Sequence, residues 1–194
     1  MRLVVYTWPY ALFFWAVFIW AFAPEFRLVS RPHEPSDTSQ DANSKRLIMQ
    51  GGALAGVIAF AVAIRVPGGA LPNGMRLFWI GLCVFIAGSL LRRHCRRMLG
   101  RNFTGAVIVK PDQAVVERGA YGYVRHPSYT AGALLWVGIG LALANWISLL
   151  VLISSIAIMY AYRVRVEEAA LVSVIGQPYR DYMKRTKRFI PFVF

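Results

Sequence analysis

The sequence predicts an all-α, polytopic membrane protein of about five transmembrane helices, with its N-terminus outside and its C-terminus in the cytoplasm. Three observations lead there. Hydrophobic residues fill 57% of the 194 positions and charged residues only 16%, where a soluble domain carries roughly a quarter charged. The apolar excess lies in long runs rather than in scattered core positions. Finally, of 22 Lys and Arg, only Arg2, Arg65 and Arg76 fall on one side of the topology those runs define. The positive-inside rule turns that asymmetry into an orientation.

Taken in order, the spans are Leu3–Ala23, Leu47–Val66, Met75–Leu91, Pro127–Ala144 and Trp146–Tyr162. Each is set against the ~20 apolar residues that cross a bilayer, or about 17 at the short end. Leu3–Ala23 also imitates a secretory leader, with Ala21-Phe22-Ala23 as the cleavage site. It is too long for a leader's apolar core, Pro24 would follow the cut, and its Trp and Tyr suit a retained helix with interfacial anchors. Pro24–Ser44 is rich in Pro, Ser, Asp and Asn without periodicity and reads as a flexible cytoplasmic connector. Arg92–Val124 is a long cytoplasmic loop with enough apolar content, at Val107–Val109 and Val115-Val116, to fold back onto the helices. The fourth and fifth spans meet in a tight turn at Asn145. The tail ends in Phe189–Phe194, an interfacial anchor. The chain therefore divides at 101/102. Residues 1–101 hold three spans with the flexible loop 24–46, and residues 102–194 hold the last two spans, the tail and the candidate chemistry.

The formal charge of +13 mostly reports topology and attraction to anionic headgroups. No soluble domain is left to bind nucleic acid, so no nucleic-acid partner is expected. Cys83 lies within a span and Cys95 in the basic segment after it. Neither a disulfide framework nor a metal-ligand spacing is present, so no metal is expected.

Two constellations carry the polar chemistry. The first is Gly119–Tyr129, GAYGYVRHPSY, directly before an apolar run. Pro127 suits the first position of a helix, whose opening N–H groups could hold an anionic group. The second is Arg163-Val164-Arg165-Val166-Glu167-Glu168 at the end of the fifth span, followed by Gly176, Tyr179 and Tyr182. Arg163 and Glu167 share one helix face, one turn apart. The order is the weaker one for a simple exposed pair, and acidic residues at a membrane helix end tend to mark function. Because the last two spans are antiparallel neighbours, both constellations belong at the same cytoplasmic level. The resulting pocket suits a small zwitterionic or anionic ligand and opens on one side to lipid.

The run Val116–Gly132, VERGAYGYVRHPSYTAG, resembles the signature of the isoprenylcysteine carboxyl methyltransferases. The segment from Arg163 to Glu168 with Gly176, Tyr179 and Tyr182 resembles their second signature, and Asn102-Phe103 a pair that precedes the first. The resemblance covers about Asn102 to Pro191, and Glu117-Arg118-Gly119 stands where the family often has Thr-Ser-Gly. It implies an integral membrane methyltransferase that uses S-adenosyl-L-methionine, its active site facing the cytoplasm from a bacterial inner membrane or an endoplasmic reticulum. Carried over by position, Gln113, Ala114, Val115, Val116, Tyr121, His126, Pro127, Ser128 and Tyr129 would line the cofactor site. Glu167 would contact the cofactor, and Arg163 would face the carboxylate of a prenylated or other lipid-borne substrate entering from the bilayer. A phospholipid N-methyltransferase has similar signatures but needs a base for its amine. An NADPH-dependent sterol-reductase-like enzyme shares the R-H-P-x-Y element but generally lacks paired glutamates. A non-catalytic helper retaining the fold is a further alternative.

Overall fold

The computed structural model describes residues 3–29, 41–110 and 113–190. Its regular elements are helices: α1 (Tyr10–Val29), α2 (Ser44–Arg65), α3 (Gly74–Leu99), α4 (Pro127–Ala142), α5 (Trp146–Ile175) and α6 (Gln177–Arg185). Among the described residues, α2, α3 and α5 are long and apolar enough to cross a membrane. The apolar part of α1, Tyr10–Phe26, is shorter, and α4 has 16 residues. At about 1.5 Å of rise per residue, α4 falls short of a hydrocarbon core of about 30 Å. Large apolar side chains on the other helices face outward, among them Ile19 on α1, Val57 on α2 and Ile158 on α5, each about two-thirds exposed. That is the surface of an integral membrane protein, for which lipid is the solvent.

The sequence places α1 to α5, whereas α6 falls in the stretch read as tail, and the boundaries shift in informative ways. Both ends of the stretch expected to be a flexible connector are ordered. Helix α1 runs through Pro24 to Val29, and Asp41 and Ser44 are buried; residues 30–40 lie outside the described residues. Helix α3 continues to Leu99, carrying Arg92–Arg97 out as a rigid extension. Helix α5 runs on past Tyr162 to Ile175, so Arg163 and Glu168 sit within a continuous helix instead of closing one. No Gly or Pro interrupts it until Gly176, whose φ of 73° ends the helix one residue before α6. The end of the predicted tail anchor, 191–194, lies outside the described residues.

Packing between α3 and α4 depends on missing side chains. A Cβ on Gly81 would stand 2.4 Å from the Ala142 backbone nitrogen, and one on Gly138 2.6 Å from that of Phe85. Close backbone approach of this kind is how helices associate where lipid removes the usual hydrophobic drive. Phe14, Phe78, Phe85, Leu135, Ile139, Leu143 and Leu152 fill the adjoining core. The tight turn between α4 and α5 is held by Asn145, whose side chain accepts from the Ile147 and Ser148 N–H groups and donates to the Val66 carbonyl. This turn returns α5 alongside α4, so that His126 and Arg163 come to one end of the bundle. The loop after α3 folds back as expected: Val107 and Val109 pack against Val166, Ala170, Leu171 and Val174 of α5.

Candidate functional site

At that end of the bundle, the entry to α4 is strapped by the chain after α6. Val124 bridges to Lys187, the Arg125 N–H donates to the Lys187 carbonyl at 2.7 Å, and the His126 N–H to that of Arg188 at 2.9 Å. Tyr182 donates to the Tyr121 carbonyl at 2.6 Å. Burial pushes the Tyr182 hydroxyl up to about 12, so it remains a donor at any physiological pH.

Glu168 is the hub beneath this strap. It is buried and meets Arg125 Nε at 3.1 Å, His126 Nε2 at 3.2 Å and Arg188 at 2.8 Å. Arg125 also donates to the carbonyls of Met183 and Thr186. Three side chains and a chain segment are thus locked around one carboxylate.

Glu167, the next residue along, does something different. Its side chain is 30% exposed, and it accepts a 2.5 Å hydrogen bond from the Tyr129 hydroxyl. Tyr129 in turn accepts from Arg163 Nε at 3.1 Å. The expected Arg163–Glu167 pairing is therefore relayed through Tyr129. The remaining Arg163 nitrogens donate to Asp41, to Ser44 Oγ at 2.6 Å and to the Gly105 carbonyl at 3.0 Å. Asp41 also accepts from the Lys45 N–H at 2.7 Å and the Val107 N–H at 2.9 Å. Burial would raise the Asp41 carboxyl. Those backbone N–H groups, then the Arg163 charge, outweigh it and hold the group below its ordinary value.

Two cavities meet at Glu167. One is lined by Gln113–Val116, Tyr121, His126, Ser128 and Glu167, with Tyr179 and Tyr182. Eight of the ten residues expected around a cofactor line it. Of the other two, Tyr129 lines the neighbouring cavity, and Pro127 is buried as the first residue of α4. The Tyr121 hydroxyl is buried in this wall, beside Cys95 and Ser128. The second, larger cavity is lined by Tyr129, Arg163 and Glu167 together with Glu25, Lys45, Ile48, Met49, Arg92 and Phe103. Asn102, Gln113, Ser128 and Glu167 are common to both.

Sequence reasoning missed three participants. Asp41 lay in a stretch read as flexible, although Asp41 through Ser44 ahead of an apolar run is a helix-start pattern. Glu25 receives two 2.8 Å bonds from Arg92 and a 2.9 Å bond from Arg96, and both guanidinium groups lie over the Phe103 ring. Only a through-space contact between α1 and α3 could find that cluster. Arg188 was counted merely as tail charge.

The sequence profile of the isoprenylcysteine carboxyl methyltransferase (ICMT) family matches residues 79–173. A protein-S-isoprenylcysteine O-methyltransferase of Tribolium castaneum is 33% identical over 127 residues, which cover 63% of this chain and 45% of that protein. Protein-S-isoprenylcysteine O-methyltransferase B of Arabidopsis thaliana is 33% identical over 128 residues, covering 63% and 64%. The chain thus spans about half to two-thirds of the length of these relatives. The solved structure of a eukaryotic intramembrane Ras methyltransferase, ICMT, superposes with a TM-score of 0.63 at 26% identity, covering 94% of this chain and 63% of that one.

Proposed function

Because the chain belongs, through residues 79–173, to the isoprenylcysteine carboxyl methyltransferase family, we propose that it moves a methyl group from S-adenosyl-L-methionine to a lipophilic acceptor, the C-terminal carboxylate of an isoprenylated cysteine. The observation that carries this reading is the cavity lined by eight of the residues expected to hold the cofactor. Its contents fit the group. Val115 and Val116 offer an apolar wall, and Glu167, with one hydrogen-bond partner, offers a carboxylate to an ammonium or sulfonium.

S-adenosyl-L-methionine supplies, when bound, an electrophilic methyl group. The acceptor carboxylate is ionised near neutral pH, so no residue has to remove a proton. The chain's task is alignment, worth effective molarities of about 10⁵–10⁸ M in well-oriented reactions. Glu167 stands where the two cavities join and is aimed by Tyr129. Arg163 is a fixed positive wall of the second cavity, where the acceptor enters from the bilayer. His126, held by Glu168, is a wall of the first cavity rather than a base. On this reading residues 102–194 form the catalytic region upon the three N-terminal helices. Helix α1 also crosses the bilayer, as does the shorter α4 together with the turns that flank it, giving five spans, and the basic loops put the N-terminus outside and the site in the cytoplasm.

Purified protein tests this directly. S-adenosylhomocysteine should raise its melting temperature, and labelled methyl should pass to an isoprenylated cysteine with a free carboxylate. Stabilisation by NADPH alone would overturn the reading.

A further inference from the structure

Five charged side chains line the larger cavity: Glu25, Lys45, Arg92, Arg163 and Glu167. Glu25, Arg92 and Arg163 are satisfied by the chain itself, and Glu167, an anion, has one hydrogen-bond partner. Arg92 spends Nε and one terminal nitrogen on Glu25 at 2.8 Å and the other on the Ser128 carbonyl at 2.9 Å. All three Arg163 nitrogens are engaged by Tyr129, Asp41, Ser44 and Gly105. Glu167 is engaged by Tyr129. The fifth, Lys45, uses its backbone N–H to hold Asp41, while its half-buried side chain has no hydrogen-bond or ion-pair partner among the described residues.

The charge balance makes this consequential. Arg92 shares Glu25 with Arg96, and Arg163 is paired with Asp41. Both guanidinium groups that line the cavity are thus spent on the chain's own oxygens, while the nearby Glu167 charge repels a carboxylate. A carboxylate seeking Arg163 instead would have to displace Asp41, which four groups of α2, the α3–α4 loop and α5 hold in place. The ammonium of Lys45 is a compact charge on a flexible stem, free to meet an anion in the same cavity.

We propose that Lys45 is the specificity-determining residue that receives the acceptor's carboxylate, while the Asp41–Arg163 pair positions Tyr129 and Glu167. The inference rests on the methyl-transfer reading above and names which residue of that site selects an acid. It applies to the first turn of α2, outside the region that matches the family.

The test uses the full-length protein in detergent, S-farnesyl-N-acetylcysteine as acceptor and its carboxamide as a neutral analogue. Lys45→Met should raise KM for the acid by roughly tenfold to a hundredfold, the scale of a charge-assisted hydrogen bond, and leave stabilisation by S-adenosylhomocysteine unchanged. Lys45→Arg should restore most of the affinity. The carboxamide should inhibit wild type and Lys45→Met equally. An unchanged KM in Lys45→Met overturns the proposal, and so does an equal loss of acid and carboxamide affinity, which would make Lys45 a packing residue. Thermal stabilisation by the acid but not the carboxamide, lost in Lys45→Met, supports it without any turnover. Absence of methyl transfer by the wild-type chain would count against the function, whereas transfer with the same KM in wild type and Lys45→Met would count against Lys45 alone.

Discussion

Two sides of the C-terminal half of α5 put the same side chain to opposite uses. Glu167 and Glu168 are neighbours in sequence and, at 3.6 residues per turn, lie about 100° apart around the helix. On one side Glu168 is buried among Arg125, His126 and Arg188, under a segment that ties the tail to the entry of α4. On the other, Glu167 is partly exposed, has one short bond to Tyr129, and borders both cavities. A carboxylate whose lone pairs are all taken by protein donors holds structure together. One with a single partner and an open cavity before it has capacity left for a ligand. The residue type is no guide to which is which; the saturation of its hydrogen bonds is.

The contrast can be broken by substitution on either side. The largest effect on turnover is expected from Glu167→Gln, which should lower methyl transfer on the order of a hundredfold, the scale of a lost alignment. Its melting temperature should stay close to that of wild type. A large drop in melting temperature would mean that Glu167 is also an anchor. Glu168→Ala should act the other way round. It strands the buried Arg125, and breaking a buried pair costs about 3–5 kcal/mol; thermal melting and proteolysis of the tail would read the loss. Activity lost from a fully folded Glu168→Ala protein would contradict the assignment.

Asp41→Asn should give a smaller effect with a distinctive pH dependence. The folded Asp41 carboxyl lies below its ordinary value of 3.8, so its contribution is complete above that value. It disappears as pH falls through the lowered folded value. Wild type should therefore melt above Asp41→Asn by a constant margin down to about pH 5, and the margin should shrink below about pH 4. A margin that persists in strong acid would show that Asp41 acts without its charge.

Much of this architecture was legible in the residues. The long apolar runs foretold α1 to α5 because a bilayer demands continuous apolar length. Asn145 foretold the hairpin that unites the two constellations. Eight of the ten expected cofactor residues line one cavity because Gln113 to Ser128 are close in sequence and the hairpin supplies Glu167. The helix ends were harder. Past Leu91 and Tyr162, hydropathy stops while the helices continue, because backbone hydrogen bonding carries on until a residue such as Gly176 ends it.

What the sequence by itself determined is thus the membrane class, the order of the helices, the charge asymmetry and the types of residue at the site, all of them properties of local composition and short spacing. Tertiary structure alone decided the partners. Asp41 meets Arg163 across 122 positions and Glu25 meets Arg92 across 67, distances over which no periodicity survives. Such pairings are set by which helix faces pack together. Those pairings leave Glu167 and Lys45 open to a ligand while closing Glu168, Arg92 and Arg163 onto the protein itself.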